Sequence, residues 1–287
     1  MSKKENIYEE QINILIDKGV LIEDKIEAIN ILSSLSYYTL IGYIPNFTDT
    51  NINYKNTITF NNIYKTYLFD KRLRNILLYI LEIIENTLKT KIAYAINNEI
   101  GNLGYLENVN FKDFKEHKML ISNLKRLLQK DKKIELVDYY IEQYGNKLPI
   151  CIAINVFTMG MINSLYKNIN TPIQKLVAKE YNTGVNQLTS WIENIVYIRN
   201  LVAHYMRLYN FKLQKTPANC KVNNHYNIIT YRIFDIIHIM KFLVLDKNEW
   251  NNHIIITLEA LIEEYKHYIE LDLIGFSEDW KEILIKF

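Results

Sequence analysis

The chain has 287 residues, and its 34 lysines and arginines against 32 aspartates and glutamates give a net charge of only +2. A charge so close to zero excludes a bulk polycation that would coat nucleic acid along its whole length. Hydrophobic residues make up 49% and charged residues 23%, which is typical of a folded globular protein and excludes intrinsic disorder. The 8 glycines and 4 prolines favour long helices over many short strands.

The opening segment, Met1 to Gln11, carries charges with no apolar stretch behind them, so we expect no secretory signal. Charged residues interrupt every later apolar run, and we expect none to span a membrane. The two cysteines, Cys151 and Cys220, are too few for a disulfide framework or a cysteine metal cluster. These features together predict reduced structural thiols in a cytoplasmic protein.

The apolar spacing is helical nearly everywhere, because apolar residues recur at intervals of three and four. In chain order it predicts helices over 5–17, 24–36, 61–98, 112–131, 133–144, 149–167, 172–181, 186–210, 226–245 and 249–268. An Asn-rich loop is predicted at 48–57 and an irregular basic segment at 211–225. One all-α domain over 1–287 is the simplest interpretation, and the part before residue 58 is a candidate N-terminal helical subdomain.

Basic residues concentrate in two segments. Residues 112–133 contain eight Lys/Arg against three Asp/Glu, and residues 207–221 contain four Lys/Arg and no acid. Such segments suit a phosphate backbone, although a solvated helix face is the commoner explanation. The candidate RNA contacts are Lys112, Lys115, Lys118, Lys125, Arg126 and Lys212. His117, which lies among the first of these lysines, is a candidate for an RNA contact but not for a catalytic role.

The predicted helix over 186–210 has one polar face. Its apolar residues follow a 4-3-4-3-4 rhythm and predict a buried stripe of Trp191, Ile195, Ile198, Val202, Tyr205 and Tyr209. At about 100° per residue, Asn200, His204 and Arg207 lie roughly opposite that stripe. Arg199 lies at one flank of this polar face.

These side chains are the parts needed to cleave RNA by attack of its own 2′-hydroxyl on the adjacent phosphate. An imidazole moves protons near neutral pH, guanidinium groups hold phosphate and stabilise negative charge, and Asn200 could orient either. No His, Cys and carboxylate group has metal-ligand spacing, so we expect neither a metal nor a cofactor. One chain supplies one such histidine, and a symmetric homodimer would supply two. A solvent-facing histidine beside two arginines is a weak signal by itself.

The six residues from Arg199 to His204 match the R-x4-H signature of the HEPN superfamily, including the Asn that often follows the Arg. Around them, the chain resembles the AbiD/AbiF-like abortive-infection family along nearly its whole length. The blocks that carry the resemblance are 35–43 (NYYRLSGY), 67–74 (LYxFDxxLR), 84–90 (IExxLRT), 203–210 (AHxxRLWN) and 274–280 (GFPxxW). The departures are Ser36, Thr39, Lys89, Tyr209 and Ser277, and none touches the Arg199 and His204 pair.

The resemblance implies a HEPN-type helical bundle with additional N- and C-terminal helices. It also implies an endoribonuclease with Arg199 and His204 as catalytic residues, acting in phage defence or as a growth-arresting toxin. The implied partners are substrate RNA, a second copy of the chain and a neutralising antitoxin, either protein or structured RNA.

Two acidic residues of the helix over 61–98 leave alternatives open. Glu85 either forms a helical ion pair with Lys89 or reaches Arg199 or Arg207 to hold it in place. Asp70 lies one helical turn before Arg74, and a helix-stabilising ion pair is the simpler interpretation.

Two other functions also remain open. The chain could be a non-catalytic RNA-binding module, or a partner-binding subunit of a toxin–antitoxin system.

Overall fold

The computed structural model describes residues 3–44, 58–130, 135–145, 147–218 and 231–286. All regular secondary structure within these ranges is helical, and only single bridges join Leu21 with Thr59 and Phe111 with Ile169. The prediction of an all-α protein is therefore confirmed. None of the described helices is long and apolar enough to cross a membrane.

The helices fall in chain order as α1 (Lys3–Asp17), α2 (Lys25–Ser34), α3 (Tyr37–Ile41), α4 (Phe60–Ile100), α5 (Phe114–Lys130), α6 (Glu135–Tyr144), α7 (Ile150–Ala153), α8 (Met159–Asn168), α9 (Thr171–Glu180), α10 (Val185–Ala203), α11 (Ile233–Leu243), α12 (Lys247–Glu249), α13 (Ile255–Tyr265) and α14 (Trp280–Ile285). Short 3-10 turns occur at Gly104–Leu106, Asn108–Asn110, Ile154–Val156 and Leu271–Ile274, and a π-helical turn at Trp250–Ile254 joins α12 to α13.

The 41-residue helix α4 is the axis of the fold, about 60 Å long at 1.5 Å per residue. It begins where the Thr59 hydroxyl accepts a hydrogen bond from the Asn62 backbone N–H at 3.1 Å. It ends at Gly101, whose φ of +77° suits glycine. Helices α3, α7, α8, α9, α10, α11 and α13 all pack against α4, so its apolar positions form the centre of the core.

Three predicted helices differ from the structure. Among the described residues, the helix predicted over 226–245 begins at Ile233 and ends at Leu243. The helix predicted over 149–167 is interrupted at Phe157 and Thr158, because the Thr158 hydroxyl caps a new helix by accepting from the Met161 N–H at 3.3 Å. The helix predicted over 186–210 ends at Ala203. The predicted loop at 48–57 and Cys220 lie outside the described residues, as do residues 219–225 of the predicted irregular segment and residues 226–230 of the helix predicted over 226–245.

The prediction that His117 contacts RNA is wrong. Its side chain is buried, its Nε2 lies 3.0 Å from the Tyr105 carbonyl oxygen, and its ring stacks on Phe111 with centroids 4.1 Å apart. The neighbouring lysines remain exposed, because α5 turns this one polar position toward the core.

A second buried histidine predicts a pH dependence of stability. His238 lies between Phe234 and Phe242, and its burial, assisted by the charge of Lys241, lowers its pKa to about 4. The folded state therefore keeps the imidazole neutral, whereas the unfolded chain protonates it near pH 6.5. We expect His238 to cost about 3 kcal/mol of stability as the pH falls from 7.5 to 4.

Urea denaturation of the wild type and His238→Gln at both pH values measures this contribution. Taking the difference between the two proteins cancels the contribution of other titrating groups. One of these groups is Asp235, because burial raises the pKa of its carboxyl to about 6. Equal acid losses in the two proteins would contradict the assignment.

Candidate active site

Helix α10 buries one face and exposes the other. It packs against α4, α8, α9 and α11 through the buried side chains of Trp191, Ile195, Ile198 and Val202. This face follows the predicted apolar rhythm as far as Val202. On the other side, Asn200 and His204 are exposed and Arg199 is half-buried, so these three polar side chains can meet a ligand.

The end of α10 is a Schellman turn with tyrosine where glycine is usual. The Tyr205 N–H donates to the Val202 carbonyl oxygen at 3.1 Å, and the Met206 N–H donates to that of Leu201 at 2.9 Å. Tyr205 has a φ of +57° and is 82% exposed. Its predicted place in the buried stripe is therefore wrong, because the chain reverses out of the helix one residue after His204.

The left-handed backbone of Tyr205 predicts an unusual order of stability between two variants. Tyr205→Gly and Tyr205→Ala both remove the exposed ring, but only glycine adopts this φ without a Cβ clash. We expect the glycine variant to have the higher free energy of unfolding, by about 1 kcal/mol. Chemical denaturation measures the difference, and an alanine variant of equal or greater stability would show that the backbone is not strained.

Arg207 does not join the polar face of α10. Its Nη1 donates a hydrogen bond to the Gly42 carbonyl oxygen, and its guanidinium carbon lies 5.9 Å from the centre of the Tyr43 ring. The predicted face of Asn200, His204 and Arg207 is wrong for Arg207, because the helix has already ended. Arg207 instead fixes the segment that follows the site to the turn after α3.

Asp70 holds the same segment from α4. Its fully buried carboxylate accepts hydrogen bonds from the Tyr43 hydroxyl at 2.6 Å and from the backbone N–H groups of Leu208 and Tyr209 at 3.1 and 2.8 Å. It also forms an ion pair with Arg74. Burial raises the pKa of the Asp70 carboxyl, while Arg74, Tyr43 and the two N–H groups oppose that shift.

Arg74 also holds the segment that follows the site, because its Nη1 donates a hydrogen bond to the Met206 carbonyl oxygen at 3.3 Å. Three of the sequence blocks identified above, 35–43, 67–74 and 203–210, therefore meet at one buried network. The predicted ion pair of Asp70 with Arg74 is present, but sequence reasoning missed its tertiary role. The signal that could have revealed this tertiary role is the presence of two oppositely charged residues at core positions of an apolar helix.

The side chains of Arg199, Asn200 and His204 make no hydrogen bond or ion pair within the described part of the chain. They sit next to a backbone segment that the Asp70 network holds in place. A cation, an amide and an imidazole that the fold leaves unpartnered can bind an anion and transfer a proton.

Glu85 pairs with a neighbour on its own helix. Its carboxylate lies 2.8 Å from the Lys89 ammonium on the next turn of α4, and it forms no hydrogen bond or ion pair with Arg199 or Arg207 in the described structure. The first of the two predicted roles, a helical ion pair, is therefore the one that the structure contains. The proposed support of an arginine by Glu85 is absent.

The predicted RNA contacts occupy two surfaces. Lys115, Lys118, Lys125 and Arg126 are exposed on one face of α5. Lys112 donates from Nζ to the Gln174 side-chain oxygen at 2.5 Å, and Lys212 lies 6.0 Å from the centre of the Tyr231 ring. Contact of these residues with RNA stays a prediction. The described residues contain no group of three or more His, Cys, Asp or Glu side chains placed to hold a metal ion.

The fold and site together define an all-α protein with an exposed histidine and a half-buried arginine at the end of a helix whose other face is buried. A family model described as "Abi-like protein" matches residues 30–210, which is more than half of the chain, and the chain belongs to this family. Membership indicates a role in abortive infection, a form of phage defence. No curated protein and no solved structure matches the chain.

Proposed function

We propose that the chain is a metal-independent endoribonuclease of the HEPN type, close to the AbiD/AbiF-like proteins, that acts in phage defence or as a growth-arresting toxin. The observation that carries this proposal lies at the end of α10, where His204 is exposed and Arg199 is half-buried, and neither side chain has a hydrogen-bond or ion-pair partner among the described residues. Arginine binds phosphate and histidine transfers protons, and together these residue types can cleave a phosphodiester without a metal ion. The R-x4-H spacing and membership of the Abi-like family support the same function.

In the proposed reaction, the neutral His204 imidazole removes the proton of a ribose 2′-hydroxyl. The resulting oxygen attacks the adjacent phosphorus, and the bond from phosphorus to the 5′-oxygen breaks. The 5′-oxygen takes a proton from a second histidine in its protonated, imidazolium form, which leaves a 2′,3′-cyclic phosphate, a 5′-hydroxyl and a neutral second imidazole. Arg199 stabilises the charge that develops on the phosphate oxygens, and Asn200 orients the phosphate or the imidazole.

The second imidazole comes, in this proposal, from a second copy of the chain. Two α10 ends that face each other across a two-fold axis would place both histidines at one phosphate. The exposed side chains of Tyr205 and Met206 directly follow His204 and offer apolar surface for such a contact. A nuclease of this kind requires control, for which we propose a neutralising partner, either protein or structured RNA.

The chemistry of the product ends tests this function. The purified chain, incubated with single-stranded RNA in EDTA, is expected to give 2′,3′-cyclic phosphate and 5′-hydroxyl ends. A substrate with a single 2′-deoxyribose at the cut position should stay intact there, because the nucleophile is missing. Products with 3′-hydroxyl and 5′-phosphate ends, or cleavage of the deoxy substrate, would reject the mechanism.

A further inference from the structure

Helix α5 carries four exposed cations on the side that faces away from the core. They are Lys115, Lys118, Lys125 and Arg126. At about 100° per residue, they lie within an arc of about 100° around the helix axis, which we call the basic face of α5. Leu120 and Leu124 are buried on the opposite side. Glu116, the one acidic residue of the helix, lies about 80° beyond the edge of the basic face.

The fold leaves the charges of the basic face without acidic partners. None of its four side chains forms an ion pair or a hydrogen bond within the described part of the chain. Other lysines do pair, for example Lys25 with Glu9 and Lys281 with Glu259. Like charges on one side of a helix repel each other, so an anionic ligand would stabilise the basic face.

The dimensions of the basic face suit a single strand of RNA. From Lys115 to Arg126 it extends over 11 residue steps, about 16 Å of helix axis, which matches about five phosphates of a stacked strand at about 3.4 Å each. The exposed side chains of Phe114 and Met119 lie beside the cations and offer apolar surface to the bases. A membrane is a poorer match, because a helix that binds lipid inserts its apolar face, and the core already covers that face of α5.

The start of α5 lies far from the candidate active site along α4. The chain that follows α10 is fixed at Arg74, which donates to the Met206 carbonyl oxygen. Helix α5 is fixed near the other end of α4, since the His117 ring contacts the carbonyl oxygen of Tyr105, just beyond that end. The 26 residue steps from Arg74 to Ile100 correspond to about 39 Å of helix axis.

We propose that the basic face of α5 is a second binding site for the phosphates of the substrate RNA, and that it selects long single strands. This inference rests on the proposed function, since it takes the bound strand to be the substrate. Lys115 and Lys118 flank His117 in the chain and so lie about 40 Å along α4 from His204. At about 3.4 Å per nucleotide, a stacked strand must have about 12 nucleotides to reach both places. A shorter RNA can occupy only one of them.

The salt dependence of RNA binding tests the basic face. We use the His204→Ala protein, which leaves RNA uncut, and a labelled oligouridylate of about 30 nucleotides. Lys115→Gln combined with Lys118→Gln removes two phosphate contacts. The slope of log affinity against log salt should shrink by about 1.4, and affinity at about 0.1 M salt should fall about twentyfold. The matched control, Lys25→Gln combined with Lys281→Gln, removes the same charge from lysines already paired with glutamates and should keep the slope.

The length dependence of cleavage tests the separation of the two sites. Two substrates share one cut sequence and have about 6 and about 30 nucleotides. In the α5 double variant with His204 intact, we expect kcat/KM to fall about twentyfold on the long RNA and to stay unchanged on the short RNA. An equal loss on both substrates would place the two lysines at the cut and overturn the proposal.

An unchanged salt slope in the α5 double variant would overturn the basic face as an RNA site. Loss of binding to anionic lipid vesicles, with unchanged RNA affinity, would assign the face to a membrane and overturn it too. The expected change of slope in a chain that never cuts RNA would support the site and remove the ribonuclease proposal. Cleavage that His204→Ala abolishes and the α5 substitutions leave unchanged on long RNA would remove the site and leave the ribonuclease.

Discussion

His204→Ala is expected to slow RNA cleavage by about a thousandfold, and Arg199→Ala by about a hundredfold or more. The histidine is the proposed proton acceptor, and the arginine stabilises charge that appears only in the transition state. Neither side chain has a hydrogen-bond or ion-pair partner in the described structure. Both variants should therefore keep the wild-type free energy of unfolding within about 0.5 kcal/mol.

Single-turnover cleavage of a labelled RNA, together with chemical denaturation of each variant, separates chemistry from folding. His267→Ala is the control for the histidine, because His267 is exposed and lies outside the site, and we expect it to cleave at the wild-type rate. Full activity in His204→Ala would reject the assignment of the proton acceptor. A large loss of stability in either variant would mean that the lost activity reflects misfolding.

Asp70→Ala is expected to have the largest effect on stability, a loss of about 4 kcal/mol. The change leaves the buried Arg74 guanidinium without its counter-ion. It also leaves the N–H groups of Leu208 and Tyr209 without their shared acceptor. The segment after His204 would then lose its anchor to α4, so RNA cleavage should fall as well.

Equilibrium unfolding in urea measures this loss, with Arg72→Ala as the matched control. Arg72 lies on the same helix as Asp70 and forms an exposed ion pair with Glu264 of α13, and exposed pairs contribute at most about 1 kcal/mol. Tyr43→Phe removes a single hydrogen bond from the Asp70 carboxylate and should cost about 1–2 kcal/mol. It tests the network even if Asp70→Ala does not fold. A loss of stability in Asp70→Ala that is smaller than the loss in Arg72→Ala would contradict the anchoring role of Asp70.

The main helices and the faces that they bury could be predicted from the sequence. Helix α4, predicted over 61–98, spans Phe60–Ile100, because apolar residues recur along it without interruption and Gly101 ends it. The buried face of α10 follows in the same way from Trp191, Ile195 and Ile198. Periodicity records which side of a helix meets the core, so it also predicted the exposed side of His204.

The end of α10 could not be predicted, because no glycine or proline occurs between Arg199 and Asn210. The helix stops at Ala203 because tertiary contacts favour another path for the next residues. Asp70 binds the N–H groups of Leu208 and Tyr209, and Arg207 binds the turn after α3. These contacts outweigh the cost of a left-handed tyrosine, and local sequence does not encode them.

The residues of the candidate site also fall into two groups, those that a local sequence pattern predicts and those that depend on distant contacts. Arg199 and His204 follow from a motif and a helical phase, both of which are local. The role of Asp70 depends on residues more than 130 positions away in the chain, which a local sequence pattern does not reveal. The break at Phe157 is an intermediate case, since Thr158 carried a capping signal that the surrounding apolar spacing obscured.

The most direct test of the central claim is to induce the wild type or His204→Ala in bacterial cells and map RNA 5′-hydroxyl ends across the transcriptome. We predict new 5′-hydroxyl ends and arrested growth with the wild type, and neither with the variant at equal protein levels. New ends of the same number and position in both strains, or none in cells that the wild type arrests, would contradict cleavage by this histidine.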